Sequence, residues 1–191
     1  MKQIPGGVTA AKGFEAAGVE AGIKYKNRMD MAVVYSEVPC KAAGTFTTNV
    51  VKAAPVKWDQ KIVYESGIAQ AVIINAGVAN ACTGEEGYGY CLDTAKAAGK
   101  AFGIPEESVL VASTGVIGMQ LPMNKILAGV DLLAEAKGES LEHGTLASKA
   151  IMTTDTVNKE IAVEFEVGGK TVTIGGMCKG SGMIHPNMCT M

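Results

Sequence analysis

Polar residues with glycine beside them stand where the chain could do chemistry. Ser113-Thr114-Gly115 follows the apolar run Val109-Leu110-Val111-Ala112. Backbone N–H groups gathered at such a strand end can receive an anion or a developing oxyanion, although a plain strand-to-helix turn with a polar cap gives the same string. Lys179, in Lys179-Gly180-Ser181-Gly182, is a lysine among glycines. Such an ammonium can be desolvated and aimed at an anionic group, or it can stand solvated in a loop. Thr190, after Cys189, carries a hydroxyl that stays a weak nucleophile until a base activates it. A free α-amino group on the same residue is one such base, but local chemistry alone does not single Thr190 out.

Other candidates lose to simpler explanations. Gly168-Gly169-Lys170-Thr171 imitates the end of a phosphate-binding loop, yet the first glycine of that motif would fall on Glu164. Alternation before it and β-branched residues after it predict a hairpin turn instead. Gly84-Glu85-Glu86-Gly87-Tyr88-Gly89 lacks dinucleotide spacing, its acidic pair would repel phosphates, and it reads as a loop. His143 reads as an exposed loop histidine, and His185, beside Pro186, has no assignable partner. Five cysteines, at 40, 82, 91, 178 and 189, include no C-x-x-C pair, and the two histidines are far apart, which argues against a zinc site. Their odd number, with no export signal, predicts reduced thiols in a cytoplasmic protein, most of them small buried hydrophobes.

Composition bounds the fold that must position these residues. With 48% hydrophobic and 19% charged residues in a chain of 191, a disordered ground state is excluded. A net charge of -2 gives no footprint for nucleic acid. The chain has no apolar run approaching a membrane span, and Met-Lys-Gln-Ile-Pro-Gly-Gly at its start lacks a leader's apolar stretch. Aromatics at 5%, against 24 glycines and 10 methionines, predict an α/β fold with a small and aliphatic core.

The expected elements alternate. Strands fall at 30–35, ended by Pro39, and at 69–75 and 109–112, the last two each delivering a polar, glycine-bearing loop (76–84 and 113–118). A further extended piece is predicted at 43–48, and helices at 60–66, at 90–102 with Gly103 as its stop, and from Pro122 to Lys137-Gly138. A short apolar run covers 147–152, and a hairpin turns on Gly168-Gly169. From 175 onward the glycine-rich tail is a poor strand or helix interior, free to wrap a ligand or another segment.

Seven strings carry a resemblance: Gly6-Gly7-Val8-Thr9-Ala10, Asp30-Met31-Ala32-Val33, Ala53-Ala54-Pro55-Val56, Asn75-Ala76-Gly77-Val78-Ala79-Asn80-Ala81-Cys82-Thr83-Gly84, Ser113-Thr114-Gly115-Val116-Ile117-Gly118, Met152-Thr153-Thr154-Asp155-Thr156 and Lys179-Gly180-Ser181-Gly182-Met183-Ile184. In this order they resemble the ornithine acetyltransferase family, also called glutamate N-acetyltransferase, from end to end. Cys189 stands where that family typically has alanine, Val78 where asparagine is common, and His185 where a small residue is common.

The resemblance implies an α/β fold of mixed sheets layered with helices, self-processing in the manner of N-terminal nucleophile enzymes. Residues 1–191 would be a single α-chain unit, roughly the N-terminal half of a precursor, ending on the first residues of the β chain. Its sheets would be shared with that absent β chain in an α2β2 heterotetramer. Cleavage would fall between Cys189 and Thr190, making Thr190 the nucleophile. Thr114 and Gly115 match the oxyanion-stabilising pair, and Thr153, Lys179 and Thr190 match substrate-binding positions. The implied reaction moves acetyl from N-acetylornithine to glutamate without a cofactor. Acetyl-CoA stays open as a second donor. Two other readings also stay open: a non-catalytic subunit of the same fold, and an acetyltransferase for a different N-acetyl amino acid.

Overall fold

The computed structural model describes residues 1–181. Its elements run β1 (Lys2–Ile4), β2 (Phe14–Val19), β3 (Met31–Lys41), α1 (Ala54–Glu65), β4 (Ile68–Val78), α2 (Gly84–Phe102), β5 (Val109–Val116), α3 (Met123–Ala136), α4 (Leu141–Ala150), β6 (Lys159–Val167) and β7 (Lys170–Cys178). Two sheets result: a four-stranded one in the order β2-β3-β4-β5, and a three-stranded one in the order β1-β6-β7. Only β4 and β5 pair in parallel among the described strands; the other pairs are antiparallel. The mixed α/β architecture expected from composition is present.

Alternation along the larger sheet explains its layers. Ala17, Met31, Val33, Ala71, Ile73, Val109 and Val111 meet Trp58 and Ile62 of α1, Cys91, Ala95 and Ala98 of α2, and Ile126, Val130 and Leu133 of α3 in one buried cluster. Their neighbours Ala16 and Ala32, with Ile74 at the edge, turn the other way and pack on Ala147 and Ala150 of α4. Because successive strand residues point to opposite faces, a sheet covered on both sides reads as a nearly continuous apolar run. Alanines on the α4 side let that helix approach closely. No described helix is long and apolar enough to cross a membrane.

Strand β5 lies at a sheet edge, and α1 covers it. Trp58 Nε1 donates to the Val109 carbonyl at 2.9 Å, and the Val111 N–H donates to Asp59 Oδ1 at 2.9 Å. These bonds satisfy backbone groups that would otherwise invite another strand. Burial pushes the Asp59 carboxyl from 3.8 up to about 7, overriding the Val111 amide that pulls it down. Between those two values the unfolded chain loses the proton while the folded one keeps it. Stability therefore falls as pH rises through that window. An Asp59→Asn variant of the full-length protein should have a melting temperature that is flatter between pH 4 and 7 and higher than wild type at pH 8, as thermal denaturation would record.

Several sequence expectations need correcting. Pro39 does not end its strand, because β3 runs on to Lys41 with a register jump against β4 between Tyr35 and Cys40, and a bulged residue needs no ladder donor. The piece at 43–48 joins no sheet; Phe46 instead packs edge-on against Tyr64 of α1, with ring centroids 5.6 Å apart. Helix α1 starts at Ala54, since Pro55 in a first turn has no bond to lose. The acidic loop at 84–89 is the first turn of α2, where Glu85 and Glu86 complement the positive end of the helix dipole. Gly103 ends α2 in the left-handed conformation, as expected.

His143 is neither exposed nor in a loop. It sits half-buried in α4, its Nδ1 2.6 Å from Ser140 Oγ. The hairpin is as predicted, with Gly168 and Gly169 both at positive φ, as a two-residue turn between twisted strands requires. Gly175 and Gly176, assigned to an irregular tail, belong to β7 instead, and a side chain at Gly175 would overlap the Gly7 backbone. Of the described cysteines only Cys91 is buried; Cys40 is half-buried, and Cys82 and Cys178 are exposed. The prediction that most would be buried is thus corrected.

Candidate active site

The parallel pair β4 and β5 sets the geometry. Ala76 pairs with Thr114, Gly77 with Gly115 and Val78 with Val116, so the polar residues of β5 sit at the carboxyl end of both strands. Ser113, Thr114 and Gly115 are therefore strand residues, where the sequence suggested a loop. Side chains fasten this end. Asn75 Nδ2 donates to the Val78 carbonyl at 2.7 Å, Ser113 Oγ to the same carbonyl at 3.2 Å, and the Asn80 N–H to Ser113 Oγ at 2.8 Å. Gly115 has φ +136°, and a Cβ there would lie 2.6 Å from the Val78 nitrogen and closer still to the Gly77 carbonyl. Only glycine lets the two strand ends approach in this way.

Three loops close around that end. Asp30 is 1% exposed, its carboxylate accepting the Ala21 N–H at 2.8 Å and the Ile23 N–H at 2.6 Å. It fixes the loop that carries Lys24 and Tyr25. From the same loop, Arg28 Nη2 donates to the Met152 and Thr153 carbonyls at 2.7 and 2.8 Å, tying down the turn after α4. The third loop is the start of the segment after β7, where Lys179 is half-buried. Lys159 beside Asp155 holds that carboxyl well below the usual carboxylate range, against the opposing effect of burial.

Thr114, Gly115, Thr153 and Lys179 line one cleft of about 420 Å³, together with Lys24 and Gly77. Two larger clefts exist, of about 920 and 650 Å³, but neither holds any of these four residues. Position decides here, because ligands of open α/β sheets bind beyond the carboxyl ends of parallel strands. With two lysines and three threonines among its lining residues, the cleft suits a small molecule bearing a carboxylate. Cys91 offers no nucleophile, since burial, and then the charge of Asp59, push its thiol up to about 12. Cys189, Thr190 and His185 lie outside the described residues.

Reasoning from the sequence missed Lys24, Asp30, Arg28 and Asp155 as parts of this site. Asp30 offered a signal, a charge directly before a buried apolar run. The others act through partners too distant in the chain for spacing to reveal them.

The fold and cleft define a layered α/β protein with a lysine-lined cleft at the end of a parallel strand pair. The model of the ArgJ family matches residues 15–191, and the chain belongs to that family. It is 53% identical to the arginine biosynthesis bifunctional protein ArgJ of Symbiobacterium thermophilum, covering 100% of this chain and 47% of that protein. It is 50% identical to the protein of the same name from Lactococcus lactis, again with 100% and 47% covered. The chain spans about half the length of the curated relatives it matches. Among solved structures, the ArgJ protein of Bacillus halodurans superposes with TM-score 0.92 at 44% identity, covering 97% of this chain and 96% of that one. The ornithine acetyltransferase of Mycobacterium tuberculosis, crystallised with ornithine, gives 0.89 at 46% identity, with 95% of each chain covered.

Proposed function

We propose that this chain is the N-terminal half of a glutamate N-acetyltransferase that moves the acetyl group of N-acetylornithine to glutamate through an acetyl-threonine. The observation that carries this reading is the convergence of Thr114, Gly115, Thr153 and Lys179 on one cleft, although they lie on separate segments. Membership of the ArgJ family and likeness to a structure holding ornithine support it.

In this reading Thr190 Oγ attacks the Cys189 carbonyl, the peptide nitrogen leaves as an amine, and water hydrolyses the resulting ester. Two chains and a free Thr190 α-amino group result. That amino group takes the hydroxyl proton as Oγ attacks the acetyl carbonyl of N-acetylornithine, and it returns the proton to the departing ornithine nitrogen. Glutamate's amine then attacks the acetyl ester, releasing N-acetylglutamate and the threonine hydroxyl. Thr114 and Gly115 stabilise the oxyanion of both steps, while Thr153 and Lys179 hold the amino acid, the lysine facing its α-carboxylate. No cofactor takes part. The word bifunctional in the relatives' names supports a second activity, for which acetyl-CoA would be the donor. A β chain completing the sheets, an α2β2 assembly and a cytoplasmic location belong to the same reading; the free cysteines among the described residues support the last.

Assay of the full-length protein for acetyl transfer from N-acetylornithine to glutamate tests this directly. Lys179→Met should raise KM for glutamate about tenfold or more, the cost of one charge-assisted bond, with a smaller change in kcat. A full-length protein that transfers no acetyl would refute the reading.

A further inference from the structure

Asp155 lies outside the proposed set of substrate residues, yet it touches both segments that carry them. Its side chain is 2% exposed. Oδ2 accepts the Thr153 N–H at 3.2 Å, and Oδ1 accepts the Gly180 N–H at 2.6 Å and Lys159 Nζ at 3.0 Å. Lys179 Nζ stands 4.0 Å from Oδ2, beyond hydrogen-bond reach. One buried carboxylate thus joins the turn after α4 to the segment after β7 and chooses between two lysines. The carbonyl of that same peptide, on Met152, accepts from Arg28 Nη2 at 2.7 Å, so the peptide is fixed from both sides.

We infer that Asp155 is a positioning residue that sets the separation of Thr153 and Lys179, and that Lys159 takes up its charge so that Lys179 keeps its own for a substrate carboxylate. The inference rests on the functional reading above. The distances carry it. A charge-assisted bond at 3.0 Å commits Oδ1 to Lys159, whereas at 4.0 Å Lys179 gains attraction without a bond. Lys159 also donates to the Val157 carbonyl at 3.1 Å, which keeps its ammonium on this side of the carboxylate. Without Lys159, the nearest remaining ammonium is that of Lys179. Drawn onto Oδ2, it would be partly neutralised and turned from the cleft.

Steady-state kinetics and calorimetric binding of glutamate and N-acetylornithine to the full-length wild type, Lys159→Met, Lys159→Arg and Asp155→Asn test this. Lys159→Met leaves the buried Asp155 carboxylate without its bonded cation, so its melting temperature should fall modestly, while KM and Kd for both amino acids rise about tenfold and kcat changes little. Lys159→Arg keeps the cation and should stay near wild type. Asp155→Asn should raise KM and Kd at least as much as Lys159→Met. Since KM does not depend on the fraction of active enzyme, incomplete self-cleavage does not blur the comparison. Wild-type KM and Kd in Lys159→Met, or an Asp155→Asn protein that loses only thermal stability and kcat, would overturn the inference in an otherwise active enzyme. A wild type that neither transfers acetyl nor binds either amino acid would overturn the functional reading and take this inference with it.

Discussion

Thr190→Ala in the full-length protein is expected to leave one uncut chain with acetyl transfer at least about a thousandfold below wild type, as loss of a nucleophile does elsewhere. In the proposed route one hydroxyl serves both events. Without Oγ no ester with the Cys189 carbonyl can form, so the peptide bond stays intact and no free α-amino group appears to act as base. Without Oγ there is also no atom to carry the acetyl group. Ser181, which lines the cleft, belongs to the same short stretch of chain as Thr190. Denaturing gel electrophoresis or intact-mass analysis reports the first effect and a coupled assay the second. Thr190→Ser, which keeps the hydroxyl, should still be cut. A cleaved and active alanine variant would contradict the assignment.

Gly115→Ala is expected to have the largest effect on stability, about 3 kcal/mol or more, together with loss of activity. Two costs add. An alanine at φ +136° is strained by about 1–3 kcal/mol, and its Cβ would overlap backbone atoms of Gly77 and Val78, which a rotamer change cannot move aside. The neighbouring strand must shift, and the proposed oxyanion site at its end shifts with it. Gly168→Ala is the control. Gly168 also has positive φ, but a Cβ there meets nothing within 4 Å, so only the conformational cost of about 1 kcal/mol applies. Urea denaturation of both variants separates the overlap from the strain. Equal losses would mean that the close approach of the two strands carries no weight.

What could be read from the sequence was mostly local. Alternation from Ile161 to Val167 with a Gly-Gly pair after it is a hairpin in any context, and 69–75 is too apolar to lie anywhere but in a covered sheet. Tertiary partners decided the rest. Pro39 stays in its strand because a bulge relieves it of a ladder bond, and 43–48 stays out because Phe46 finds Tyr64 before it finds a strand. Strand β1 has three residues and pairs with β6 from the far end of the chain, which no window of sequence can show.

The site divides in the same way. Thr114 and Gly115, after an apolar run, and Lys179 among its glycines stand out from the residues themselves, and resemblance to a family adds Thr153 and Thr190. Nothing near Asp155 in the sequence points to Gly180, and nothing near Arg28 points to Thr153, since these contacts exist only once the segment after β7 and the β2–β3 loop both lie against the turn after α4. Some candidate substrate residues announce themselves by type and by the glycines beside them. Those that hold them in place are legible only from the fold.

The most direct test is to supply the full-length protein with N-acetylornithine and no acceptor, stop the reaction in acid and weigh its chains. One acetyl group should appear on the chain that begins with Thr190, peptide mapping should place it on that residue, and added glutamate should remove it as N-acetylglutamate. Acetyl transfer that proceeds with no acetylated chain, or with the group on any other residue, would contradict the acetyl-threonine route.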